Sequence, residues 1–123
     1  MKKRVVIVGA GAAGMLAAIA AAQQGAEVTI LEKMDRPGRK IAITGKGRCN
    51  ITNSSSMSQF FEKTGLDYRF LKNSFARFFS KEIIEMLEQE GVAVVEERGG
   101  RYFPESQKAA DVNRALTSRM AKL

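Results

Sequence analysis

Three glycines at fixed spacing, framed by two β-branched runs, constrain the fold of this chain more than any other feature. Val5-Val6-Ile7-Val8 reads as a strand and leads into Gly9-Ala10-Gly11-Ala12-Ala13-Gly14. An Ala-rich helical stretch follows to Gln24, Gly25 breaks it, and Glu27-Val28-Thr29-Ile30-Leu31 reads as a second strand ending at the acid Glu32. Strand, glycine turn, helix, strand and acid in that order form a dinucleotide-binding unit. Gly9 permits the tight turn out of the strand. Gly11 lacks a Cβ, so the backbone can approach a pyrophosphate, and Gly14 lets the helix lie close to the sheet. The free N–H groups near Ala12 and Ala13 face the phosphate, and the helix dipole favours its charge. Glu32 can accept hydrogen bonds from ribose hydroxyls. Its carboxylate would repel a 2′-phosphate, which disfavours an NADP-type adenosine there.

A competing reading uses the same residues. Met1-Lys2-Lys3-Arg4 is a basic start, Val5 to Ala22 is uncharged and largely apolar, and Ala20-Ala21-Ala22 imitates a small-residue cleavage site. Those are marks of a secretory signal or a membrane helix. The glycines argue against it, because each costs about 1 kcal/mol relative to Ala inside a helix. A signal peptide also has no use for the strand and acid that follow.

At 123 residues the chain suffices for one small domain with a core, but not for a complete two-domain flavin or nicotinamide enzyme. It has no histidine and one cysteine, Cys49. A Ser-His-Asp triad, a Cys-His pair and a His-bearing or multi-Cys zinc site are therefore excluded, so no metal site is expected. There is no C-x-x-C for dithiol chemistry. A lone cysteine suits a reducing compartment, so a cytoplasmic location is expected. The net charge of +7 raises the possibility of nucleic acid. Its distribution points elsewhere. From Lys33 to Ile51 six basic residues stand against Asp35 alone. The excess lies directly after the ribose-binding acid, where a cofactor pyrophosphate needs compensating charge. Neither a nucleic-acid partner nor a membrane is expected. The alternative is a solvated basic loop.

Further along, Met34 to Gly47 reads as a loop punctuated by Pro37-Gly38, Gly45 and Gly47, and Ile51 to Gln59 as a polar surface connection. From Phe60 to Phe79, Leu71, Phe75 and Phe79 fall at i, i+4 and i+8 and Phe78 joins them, which predicts one amphipathic helical face serving the core. Ser80 is placed to cap a helix over residues 81–90 that Gly91 terminates. Val92 to Glu96 reads as a strand, and Arg98-Gly99-Gly100 turns into Arg101-Tyr102-Phe103 as a hairpin. Lys108 to Leu123 reads as helix. No internal repeat is present.

The stretch Gly38-Arg39-Lys40-Ile41-Ala42-Ile43-Thr44-Gly45-Lys46-Gly47-Arg48-Cys49-Asn50-Ile51-Thr52-Asn53 is highly specific. Together with Gly9 to Gly14 and Gly100-Arg101-Tyr102-Phe103-Pro104-Glu105-Ser106, it strongly resembles the BaiN/YhiN-like bacterial flavoproteins, also called the aminoacetone oxidase family of FAD-binding enzymes. The resemblance covers essentially the whole chain. Family members are much longer, so it implies that residues 1–123 are the amino-terminal part of an FAD-binding domain. It implies an α/β, Rossmann-like fold of the glutathione-reductase type, its parallel sheet begun by strand, helix and strand, with a small antiparallel hairpin added. It also implies that Gly9, Gly11, Ala12, Ala13 and Gly14 hold the pyrophosphate, and Glu32 and Lys33 the adenosine ribose region. Arg39, Lys40, Thr44, Gly47, Arg48, Cys49 and Asn50 would lie along the ribityl and isoalloxazine side. A basic, glycine-rich segment suits a long anionic cofactor.

The expected function is FAD-dependent oxidoreduction, or the FAD-binding part of it. The flavin would take a hydride or electrons from a small organic substrate and pass them to oxygen or a second acceptor, with NAD(P)H or oxygen as the expected redox partner. Cys49, with no partner thiol, reads as packing or a passive flavin contact. Arg101 and Tyr102 read as an ordinary hairpin pair. No residue stands out as a general base, and none is assigned a catalytic role. The rivals are an NAD-binding dehydrogenase fragment and a non-enzymatic basic binding module.

Overall fold

The computed structural model describes residues 1–123. Strands β1 (Arg4–Val8) and β2 (Glu27–Leu31) pair in parallel, with Arg4 opposite Glu27 and Val8 opposite Leu31. Helix α1 (Ala12–Gln23) makes the crossover. The stretch that imitates a signal sequence is thus divided into strand, turn and helix. No helix of the chain is long and apolar enough to cross a membrane. Both strands alternate, and one face of each is half-buried. The opposite face is open: Val6, Val8 and Leu31 are 63%, 85% and 54% exposed.

A second sheet has three antiparallel strands in the order β3-β5-β4: β3 (Thr52–Asn53), β4 (Val94–Glu97) and β5 (Arg101–Pro104). The hairpin expected at Arg98–Gly100 is present, with Gly99 and Gly100 both at positive φ. Its first strand starts later than the sequence suggests. The Val92 N–H instead bonds the Leu87 carbonyl at the preceding helix end, and Val92 is buried. Tyr102 donates to Glu96 across the hairpin and Arg101 to the Arg98 carbonyl, so both behave as hairpin residues.

The core lies between helices rather than on the sheets. Met15 and Ile19 of α1 meet Val112, Ala115 and Leu116 of α6 (Ala109–Ala121) and Leu87 of α5 (Ser80–Gln89), with Ile41 and Cys49 closing the cluster. Glu90, just past α5, accepts from Lys122 at 2.6 Å and Arg119 at 3.4 Å, tying the ends of α5 and α6. The Lys122 bond above all holds its carboxyl below the ordinary value. A depressed folded-state value contributes stability that is present above the ordinary carboxylate value and is lost as pH falls from there through the lowered one. Glu90→Gln should therefore lower the melting temperature near neutral pH and leave it unchanged in acid. Equal losses at both pH values would show that the charge contributes nothing.

Three local expectations are corrected. Residues 60–79 form two helices, α3 (Met57–Thr64) and α4 (Tyr68–Arg77), not one face. Gly65 ends α3 at φ 64°, and Asp67 starts α4 by accepting from the Arg69 N–H. Phe79 lies beyond α4, and Phe78 is 36% exposed instead of joining the packed side. The polar connection is shorter than expected because it contains β3, and because Ser56 and Gln59 form a reciprocal capping box that starts α3. Phe79, not Ser80, caps α5: its N–H donates to Glu82, while the Ser80 hydroxyl donates to the Asn53 carbonyl.

The stretch read as a loop from Met34 to Gly47 holds a short helix, α2 (Arg39–Ile43), followed by the turn Thr44–Gly47, in which Gly45 and Lys46 are left-handed. Local sequence does not disclose α2 because distant groups fix its start. The Gly38 N–H donates to the Ala10 carbonyl, and Asn113 of α6 donates to the Pro37 carbonyl.

Candidate functional site

The glycine turn has the geometry its residue types suggest. The Gly9 N–H donates to the Leu31 carbonyl at 2.7 Å, and φ of 97° at Gly9 turns the chain away from β1. A Cβ at Gly14 would stand 1.9 Å from the Gly9 carbonyl oxygen, so that glycine sets how closely α1 approaches β1. A Cβ at Gly11 would meet nothing within 4 Å. The space in front of Gly11 is therefore open to a ligand. The first turn of α1 carries no acidic residue to oppose an anion.

Glu32 sits where β2 ends, and its carboxylate reaches back to the glycine turn. It accepts from the Ala10 N–H at 2.7 Å and the Met34 N–H at 3.0 Å. Those two bonds, that from Ala10 foremost, hold its carboxyl below the ordinary carboxylate value. It is ionised at neutral pH. A carboxylate has about four acceptor positions, so capacity remains for ribose hydroxyls.

A groove of about 600 Å³ runs along these groups, lined among others by Gly11, Ala12, Glu32, Lys33, Gly38 and Thr44. Lys33, Arg36, Arg39 and Lys40 also line it, all exposed, and none of the four forms an ion pair within the chain. Four cations without internal partners beside a helix start make an anion site. Ala10, Met34, Arg36, Gly38 and Ile41 also line the groove and are not among the residues expected from sequence. The Pro37-Gly38 turn was the available signal for Gly38; its backbone bond to Ala10 and Asn113 beside it shape that wall.

The remaining expected residues lie outside the groove lining. Gly9, Ala13 and Gly14 support it from the turn and α1. Gly47, Arg48, Cys49 and Asn50 follow Thr44 in the left-handed turn and its exit, where Gly47 and Cys49 also have positive φ. Arg48 is committed to protein: it donates to Glu97 at 3.1 Å and Gln107 at 2.8 Å and lies over the Phe103 ring. It anchors the turn to the small sheet. Cys49 is buried in the core cluster, and burial pushes its thiol above the ordinary value, so it stays protonated. Asn50 is exposed.

Comparisons with known proteins place the family and the fold. Residues 3–123 match the family described as HI0933-like protein Rossmann domain. The chain is 40% identical over 89% of its length to the 3-dehydro-bile acid delta(4,6)-reductase of Clostridium scindens, covering 26% of that protein. It is 36% identical over 80% of its length to the ribosomal RNA dihydrouridine synthase of Escherichia coli, covering 24% of that protein. The chain thus spans about a quarter of the length of the curated relatives it matches. The crystal structure of Thermovibrio ammonificans THI4 superposes with a TM-score of 0.61 over 98% of this chain and 36% of that one, at 20% identity, and speaks for the fold alone. Matched over nearly its whole length, the chain belongs to the HI0933-like Rossmann-domain family, whose cofactor is FAD.

Proposed function

We propose that this chain is the amino-terminal part of a larger FAD-dependent reductase that adds hydrogen across a carbon–carbon double bond conjugated to a carbonyl. The observation that carries the cofactor assignment is the groove itself: open space before Gly11, a carboxylate at one end and four unpaired cations along the wall. The residues present fit FAD. The N–H groups at the start of α1 would hold the pyrophosphate, Glu32 the adenosine ribose, and Lys33, Arg36, Arg39 and Lys40 would offset the phosphate charge. When bound, FAD supplies hydride transfer. Cys49, buried in the core with its thiol pushed above the ordinary value, packs the turn. Arg48 fixes the turn along which the ring end would lie.

The names of the relatives support the direction of electron flow. A 3-dehydro-bile acid carries a ketone and delta(4,6) denotes double bonds conjugated to it; dihydrouridine is uridine with hydrogen added to its ring double bond. Reducing such a bond would put a hydride on its carbon farther from the carbonyl and a proton on the nearer one, with a reduced nicotinamide as the class of reductant that resupplies the electrons. The opposite direction, electrons leaving the substrate for oxygen, is the second reading and is the one the sequence suggests by itself.

The open face formed by Val6, Val8 and Leu31 supports the view that this is part of a larger domain, since parallel sheets are ordinarily covered on both faces. Residues 1–123 alone should associate and bind FAD far more weakly than the longer protein. The test is the visible spectrum of the full-length protein purified without added cofactor. A flavin spectrum, with bleaching on addition of a reduced nicotinamide under exclusion of oxygen and recovery on addition of a conjugated enone, is expected. A colourless protein that leaves FAD fluorescence unchanged on titration would sink the assignment.

A further inference from the structure

Beside the groove lies a separate recess of about 350 Å³, within the range of small-molecule sites. Phe60 and Phe79 line it, their rings 5.8 Å apart and nearly perpendicular, so two aromatic surfaces meet at a corner. Asn50, Thr52, Asn53 and Ser80 supply most of its polar lining. None of its lining residues is charged. That is the sharpest contrast with the cofactor groove, and it argues against a carboxylate or an ammonium as occupant, because an ion would lose hydration without gaining a partner.

Its internal hydrogen bonds narrow the ligand further. The Ser80 hydroxyl donates to the Asn53 carbonyl, which leaves Thr52 as the donor in the 2.7 Å contact between the two hydroxyls. The Asn53 amide donates to the Gly99 carbonyl and accepts from Ser55. These groups are held by the protein, and the exposed Asn50 amide is the donor best placed to meet a ligand. One short segment of chain links the recess to the cofactor groove. Thr44 lines the groove and Asn50 the recess, and the turn between them is tight: the Cys49 N–H donates to the Thr44 carbonyl, and a Cβ on Gly45 would stand 2.8 Å from the Asn50 nitrogen.

We infer that this recess seats the reacting ring of the substrate, a flat, neutral ring bearing a conjugated carbonyl, with Phe60 and Phe79 as its apolar walls and the Asn50 amide donating to the carbonyl oxygen. The inference rests on the FAD reading for its orientation toward the flavin, but the site is defined by this chain's own side chains. A steroid 4-en-3-one and a uracil ring share that chemistry.

The test uses the full-length FAD-loaded protein and calorimetric titration, which reads a probe whether or not the flavin responds. The probes are a 4-en-3-one steroid, uridine, a uridine-containing oligoribonucleotide, and orotate, which is uracil bearing a carboxylate. At least one neutral probe should bind, and orotate should bind at least tenfold more weakly than uridine wherever uridine binds. The steroid arm and the two uridine arms identify which source supplies the ring. Asn50→Ala should weaken the bound probe roughly fivefold to tenfold. Phe60→Leu, which keeps an apolar side chain but loses the flat wall, should weaken it about threefold or more. Flavin content should stay at the wild-type level in Phe60→Leu, which separates a recess effect from loss of the cofactor. Failure of all neutral probes to bind, binding of orotate as tight as uridine, or unchanged affinity in both variants would overturn the proposal. A protein without flavin that still binds the neutral probe would sink the cofactor reading and leave the recess assignment standing.

Discussion

Gly14→Val should leave the protein unfolded or aggregated, whereas Gly11→Val should fold normally and lose FAD. The two glycines belong to one motif but meet different surroundings. At Gly14 a Cβ would stand 1.9 Å from the Gly9 carbonyl oxygen and 3.0 Å from its carbon. Both are backbone atoms, so no side chain can give way, and α1 would have to lift off β1. Met15 and Ile19, almost fully buried, would move with it. Disrupting such a core costs several kcal/mol, on the order of 2–5 for a single large truncation. At Gly11 nothing lies within 4 Å, and the backbone is extended at φ −80° and ψ −174°, which valine accepts. The branched side chain would project into the space assigned to the pyrophosphate. Far-ultraviolet circular dichroism and flavin content, measured on both variants, check the contrast. A folded Gly14→Val, or a Gly11→Val that retains FAD, would contradict the assigned roles.

Glu32→Ala should weaken FAD binding by about tenfold to a hundredfold, the loss expected for charge-assisted hydrogen bonds to ribose hydroxyls. Part of the effect is internal, because the same carboxylate accepts from the Ala10 and Met34 N–H groups and holds the glycine turn. Its folded-state value is depressed, so its contribution persists from neutral pH down through the ordinary carboxylate range and disappears only in stronger acid. Fluorescence titration of FAD should give an affinity that changes little between about pH 8 and about pH 5 in wild type. Equal affinity in the variant and wild type would remove Glu32 from the site.

The parts of this structure that were legible in the sequence are those fixed by short-range rules. β1, α1 and β2 follow from alternation, glycine placement and the break at Gly25. The β4–β5 hairpin follows from Gly99-Gly100, and α6 from an uninterrupted helical stretch. The rest depends on residues far apart in the chain. The start of α2 is fixed by Ala10 and Asn113. Arg48, expected along the cofactor, is held by Glu97 and Gln107, forty-nine and fifty-nine residues away. The third strand of the small sheet, Thr52–Asn53, is too short to carry a periodic signal and exists because β5 offers it a partner. Spacing puts Phe79 on one helix with Leu71 and Phe75, but that helix ends at Arg77 and Phe79 falls at the start of the next. The acidic end and the basic wall of the groove could be read residue by residue. Their convergence on one space with Gly11 required the fold.

The most direct test of the central claim is a crystal structure of the full-length protein with FAD. Pyrophosphate oxygens should lie within hydrogen-bond distance of the N–H groups from Gly11 to Ala13, the adenosine ribose on Glu32, and the ring end beyond Thr44. An adenosine diphosphate portion bound away from Gly11 and Glu32 would contradict it.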